Sequence, residues 1–159
     1  MSRKFFRGMV CVVVCAMAGT YAGAASAQSA KAAAPAPSAE VARIRDAMKA
    51  TWDKPGQPLL VDPVVTEGEH GVASWAQGER GGRAVLRRHG SEWKVLVCGG
   101  DGLKSAAALK ETGVPARSAE RLAQALAAAE AKLPRDLVHK FSLFGQTMRM
   151  DGHHGAGHK

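Results

Sequence analysis

The chain has 159 residues, 22 basic side chains against 14 acidic ones, and a formal net charge of +8. That length allows one globular domain and leaves no room for a second of ordinary size. A basic balance ordinarily points to nucleic acid, but the first residues of the chain argue against that partner.

Arg3, Lys4 and Arg7 form a positive start, and Met9 to Met17 is an apolar stretch too short to span a bilayer. Ala25-Ser26-Ala27 has the small-x-small pattern of a cleavage site, with Gln28 as the new N-terminus. Residues 1–27 are therefore expected to be a signal peptide, and the protein to be periplasmic, with no stable membrane anchor. An exported protein meets little nucleic acid. The excess charge is then read as a solubility device or an attraction to anionic envelope surfaces. Cys11 and Cys15 leave with the signal, and valine precedes each, so neither fits a lipoprotein site. Cys98 remains alone, which excludes an internal disulfide in the exported chain.

Residues 28–37 read QSAKAAAPAP, an Ala/Pro-rich linker without apolar periodicity. A single domain is expected over 38–147. Ser38 is a good N-cap, and Val41, Ile44, Met48 and Trp52 mark one face of an amphipathic helix that Pro55-Gly56 ends. Four strands follow, at 59–67, 71–77, 83–88 and 92–98, separated by short glycine-containing turns. Pro63 argues for an edge position or a late start of the first strand. Strict alternation puts Trp93, Val95 and Val97 on one face of the last strand, and Lys94, Leu96 and Cys98 on the other.

The period then changes. Asp101 is placed to cap a short helix over 103–112, with Gly113 as its stop. Pro115 opens a longer helix with Leu122, Leu126, Ala129 and Leu133 on one side. Pro134 starts a third, with Leu137, Val138, Phe141 and Phe144 as its stripe. The expected class is α+β: an N-terminal helix, a four-stranded antiparallel meander, and three C-terminal helices packed on one sheet face.

Residues 148–159 carry no core pattern and are expected to form a flexible Met/His-rich tail. Met148 and Met150 precede His153, His154 and His158, three of the chain's 6 histidines. Thioether sulfur and imidazole nitrogen suit soft transition-metal ions, copper above all. In an extended chain Met148 and Met150 point the same way, about 7 Å apart. Gly152, Gly155 and Gly157 deny the segment a stable helix and let the imidazoles converge. Cu(I) is favoured if the methionines take part; Cu(II), Zn(II) or Ni(II) would suit the imidazoles alone. Imidazoles must be neutral to bind, so affinity is expected to weaken as pH falls through about 6.5. The plainer alternative makes Met148 and Met150 a cap on the core and the histidines a solvated tail. The new N-terminus adds no copper motif, because Gln28-Ser29-Ala30 lacks a third-position histidine.

Other residues speak for less. Cys98 ends a strand and enters a turn. It either packs as a small apolar residue, meets a helix N-terminus that lowers its pKa, or supplies a single soft metal ligand in reserve to the tail. A catalytic role needs a histidine, and nothing in the sequence ties His70 or His139 to it. Gly99-Gly100-Asp101-Gly102 lacks the phosphate-loop spacing and reads as turn chemistry. Arg80, Arg83, Arg87, Arg88 and Lys94 are expected on a solvated sheet surface. Trp52, Trp75 and Trp93 are expected as core anchors, and His70 and His89 as exposed turn residues. Asp62, Glu67, Glu69 and Glu79 are scattered, and neither H-E-x-x-H nor G-x-S-x-G occurs. No enzyme is expected.

Four segments in order carry a family resemblance. They are Val61-Asp62-Pro63-Val64-Val65, Ser74-Trp75-Ala76-Gln77-Gly78, Gly81-Gly82-Arg83-Ala84-Val85-Leu86-Arg87, and Trp93-Lys94-Val95-Leu96-Val97-Cys98 with Gly100-Asp101. Together they resemble the copper uptake system-associated proteins, small exported bacterial proteins. The likeness runs from the first helix to the His-rich end. It implies a place in copper acquisition but supplies no ligand set, so the ligands rest on the residues above. The expected function is a non-enzymatic accessory of copper uptake or handling. Its domain would dock a copper chaperone or an outer-membrane receptor, and its tail would hold the ion. The alternative is a small-ligand or metallophore-binding module in which the tail plays no part.

Overall fold

The structure, a computed structural model, describes residues 37–145 and 148–150. The expected signal at 1–27, most of the linker, and the tail from 151 onward lie outside the described residues. The chain divides into two units, Met1–Ala33 and Ala34–Lys159, and every described residue belongs to the second.

The fold is α+β, with a five-stranded antiparallel sheet in the order β1-β2-β3-β4-β5. Helix α1 runs Pro37–Trp52, one residue ahead of the expected cap. Strands β1 (Leu60–Glu67), β2 (His70–Gln77), β3 (Arg80–His89) and β4 (Glu92–Gly99) follow as a meander. Each hairpin turns on two residues that include a glycine at positive φ: Gly68, Gly78 and Gly90. β1 is an edge strand, as Pro63 suggests, and its pairing with β2 is irregular between Val61 and Val64.

Four strands become five because Met148–Arg149, assigned to the tail from sequence, pairs with β4 as β5. Two residues are too few for a periodic signal. They become a strand only because β4 presents an open edge.

The helices do not share one face. Ile44 and Met48 of α1 pack with Leu59, Val61, Ala73, Ala84, Leu86, Trp93 and Cys98. On the other face Val72, Val85 and Val97 pack against Leu103, Leu109, Val114, Ala119, Leu122 and Leu126. The reason lies in the strands. Val72-Ala73 and Ala84-Val85-Leu86 are apolar at both parities, so both sheet faces need cover.

Alternation also fails within β4. Leu86 pairs with Val95 but Val85 pairs with Val97, so Leu96 is an extra residue. This bulge turns Cys98 onto the same face as Trp93 and Val95, while Leu96 and Val97 join the opposite cluster. The sequence reading put Cys98 and Leu96 together.

Beyond β4 the chain makes a four-residue 3₁₀ turn at Asp101–Lys104, then α2 at Ala106–Glu111. Ser105, not Asp101, caps α2: its hydroxyl accepts from the Ala108 N–H at 3.1 Å. Helix α3 spans Ala116–Glu130 and α4 spans Arg135–Lys140. α4 stops before Phe144, so the stripe expected there is broken after Phe141. None of the described helices is long and apolar enough to cross a membrane.

Candidate functional site

The end of α1, the Trp75 end of β2, the end of β4 and the start of β5 enclose a cavity of about 240 Å³. Met48 and Trp52 line one wall, being one helical turn apart on the same face. The Gln77 amide fixes that wall by donating to the Trp52 carbonyl at 2.8 Å and to the Gln57 carbonyl at 2.9 Å. Leu59, Trp75 and Cys98 also line the space. Phe144 closes the far side, edge-on to Trp75 with ring centroids 5.7 Å apart. Met148 and Met150 stand at the mouth, 49% and 37% exposed. Lys54 and Arg80, both exposed, add positive charge to the rim.

A buried ion pair joins β3 to α3. Arg83 is 0% exposed, and its Nε and Nη2 donate to the two carboxylate oxygens of Glu130, each at 2.8 Å. Ser74, the cross-strand neighbour of Arg83, donates to the same carboxylate at 2.8 Å. The remaining Nη1 donates to Asp101 and to the Phe141 carbonyl, both at 3.1 Å. The Ser142 hydroxyl donates to Asp101 at 2.8 Å. Two of these bonds, Arg83 to the Phe141 carbonyl and Ser142 to Asp101, hold residues 141 and 142 against the sheet. Two glycines permit the approach. A Cβ on Gly100 would lie 2.6 Å from the Phe144 carbonyl oxygen, and one on Gly82 would lie 3.0 Å from the Phe144 Cβ. The Gly-Gly-Asp-Gly run is therefore a packing device as well as a turn.

Arg83 overturns the expectation of a solvated basic sheet surface at that position. The signal for it was present: the residue stands between Gly81-Gly82 and Ala84 on a strand buried on both faces. Glu130, one helical turn beyond Leu126, fell on the apolar stripe of α3 and was missed. His70 is buried rather than exposed, and burial, then the Arg87 charge, push its pKa below the usual histidine value. His89 and His139 are exposed.

Of the expected ligands, Met148 and Met150 line the cavity together. His153, His154 and His158 lie outside the described residues. Cys98 is buried, and burial pushes its thiol up to about 11. That is opposite to the lowered pKa a helix N-terminus would give, because only a short 3₁₀ turn follows it. Neither His70 nor His139 lines the cavity. Among the described residues, no three His, Cys, Asp or Glu side chains gather so as to hold a metal ion. The cavity's donors are sulfur instead. Sequence reading placed Met48 in the core and kept Cys98 only as a reserve ligand, and could not see that both share a space with Met148 and Met150.

No protein-family model, no curated protein and no solved structure matches this chain.

Proposed function

We propose that the protein is a periplasmic, non-enzymatic accessory of copper uptake or handling. It binds copper, as Cu(I), through Met148, Met150, His153, His154 and His158. The observation that supports this reading is the placement of Met148 and Met150. Met148 on β5 and Met150 just beyond it both line a cavity whose walls are largely apolar and aromatic. Thioethers in such surroundings suit a soft monovalent cation and suit Mg(II) or Ca(II) poorly. The protonated, buried Cys98 thiol favours a binding protein over a thiol enzyme.

The mouth also favours a docking partner, either a copper chaperone or an outer-membrane receptor. Leu143 and Met148 are each 49% exposed beside it. Lys54 and Arg80 would meet acidic groups on that partner.

Anaerobic Cu(I) titration against a competing chelator tests the reading. Met148→Leu with Met150→Leu is expected to weaken binding by about tenfold or more, roughly 1.4 kcal/mol. A wild-type protein indifferent to copper in either oxidation state ends it.

The tryptophan-lined cavity supports a second reading, a small-ligand or metallophore-binding module. Its volume of about 240 Å³ falls below the roughly 300–1,000 Å³ usual for organic ligands, which is why copper is preferred. Tryptophan fluorescence that responds to an apolar organic ligand and not to copper would reverse that preference.

A further inference from the structure

The described residues contain four sulfur-bearing side chains: Met48, Cys98, Met148 and Met150. All four line the same cavity, although Met48 lies on α1, Cys98 on β4, Met148 on β5 and Met150 just beyond it. Cys98 and Met148 are register partners across β4 and β5, which places their Cβ atoms about 5 Å apart. Met48 is buried in the α1 wall and lines the same space.

We propose that these four side chains form a sulfur-only Cu(I) resting site inside the folded domain. This rests on the copper reading above; it keeps Met148 and Met150 from that ligand set and puts Met48 and Cys98 in place of the histidines.

Three arguments carry it. Thiolate and thioether donors are soft ligands of the kind that suits Cu(I) and disfavours Mg(II), Ca(II) and Mn(II). The charge also balances. As the copper–sulfur bond forms, the Cys98 proton passes to solvent, and one thiolate with three neutral thioethers leaves a neutral complex. A divalent ion in the same place would leave one uncompensated positive charge among Trp52, Trp75, Leu59 and Phe144, which is costly in apolar surroundings. Lys54 and Arg80 at the rim add to that cost. Finally, the cavity is wider than a bare ion needs, and the thioethers able to close it are the exposed ones. Met148 and Met150 fold inward over Cys98, and the aromatic walls keep water away.

The test measures Cu(I) affinity of the exported chain as wild type, Met48→Leu, Cys98→Ser, and Met148→Leu with Met150→Leu, alongside X-ray absorption of the copper-loaded wild type. Met48→Leu is expected to weaken binding by at least the roughly tenfold to hundredfold that even a supporting contact costs a metal site. Cys98→Ser is expected to lose more, together with the ultraviolet thiolate-to-copper band. X-ray absorption is expected to show three or four sulfur neighbours. If Met48→Leu and Cys98→Ser bind like wild type while the double methionine variant does not, the copper reading stands and this site is refuted. If wild type binds no Cu(I), both fall. Should Cys98→Ser fail to fold, the wild-type spectrum still decides. Imidazole nitrogen in place of the third sulfur overturns the proposal.

Discussion

Cys98 and Met148 face one another as partners across β4 and β5, and both line the cavity beneath α1. The pairing depends on the bulge at Leu96, which turns Cys98 onto the α1 side of the sheet. Without that extra residue the thiol would point toward α2 and α3, away from every methionine of the site.

The Cys98 thiol is buried and its pKa is pushed up to about 11. Alkylation needs the thiolate. Iodoacetamide at pH 8 is therefore expected to leave Cys98 unmodified in the folded protein and to react fully once it is unfolded. Rapid labelling of the folded chain would revive a catalytic thiol. The same shift makes stability fall at high pH. The folded chain keeps its proton where the unfolded chain has lost it, so the loss starts above the unfolded thiol value and is complete near 11.

His70 titrates in the opposite sense. Burial and Arg87 hold its pKa below the ordinary value, with Glu69 only partly opposing them. The folded chain then binds fewer protons than the unfolded one. This contribution is fully present above about 6.5 and is lost as pH falls below it. Urea midpoints measured between pH 7 and pH 5 should drop in the wild type and drop less in His70→Gln. Equal slopes for the two proteins would show that His70 titrates normally.

Arg83 and Glu130 are 0% and 4% exposed and bond through both carboxylate oxygens. Removing one partner leaves a buried, unpaired charge. Arg83→Met or Glu130→Leu alone is expected to cost about 3–5 kcal/mol in urea unfolding. The double variant should recover much of that loss. Additive losses would mean that the pair is not coupled as the geometry indicates.

Gly82→Ala brings a Cβ to 3.0 Å from the Phe144 Cβ and to 3.1 Å from the Trp75 ring. The expected cost is about 1–3 kcal/mol, typical of an overpacked core. Tryptophan fluorescence should change as Phe144 leaves its edge-on position. An unchanged spectrum with full stability would show that the wall tolerates displacement.

The sequence disclosed what local chemistry decides. The α1 face with Ile44 and Met48, the glycine turns and the meander were legible, because each depends on residues close in the chain. The tail methionines stood out by type alone. Long-range events were not legible. The bulge at Leu96 depends on what β3 presents opposite it, and β5 depends on an open edge of β4. The burial of Arg83 depends on Glu130, which lies on another element. Met48 and Cys98 carry no signal of a shared cavity until α1, β4 and β5 are folded together.

Strand β5 is only two residues long, and it is fastened to β4 by the Cys98 and Val97 pairings and by the Met150 N–H to Leu96 carbonyl bond. So short an element detaches far more readily than the meander beneath it. Peeling it would unroof two sulfurs and leave the other two in place, with both hydrophobic layers intact. On the proposed copper reading, an ion held there would be surrendered sulfur by sulfur to an incoming acceptor while the rest of the domain stayed folded.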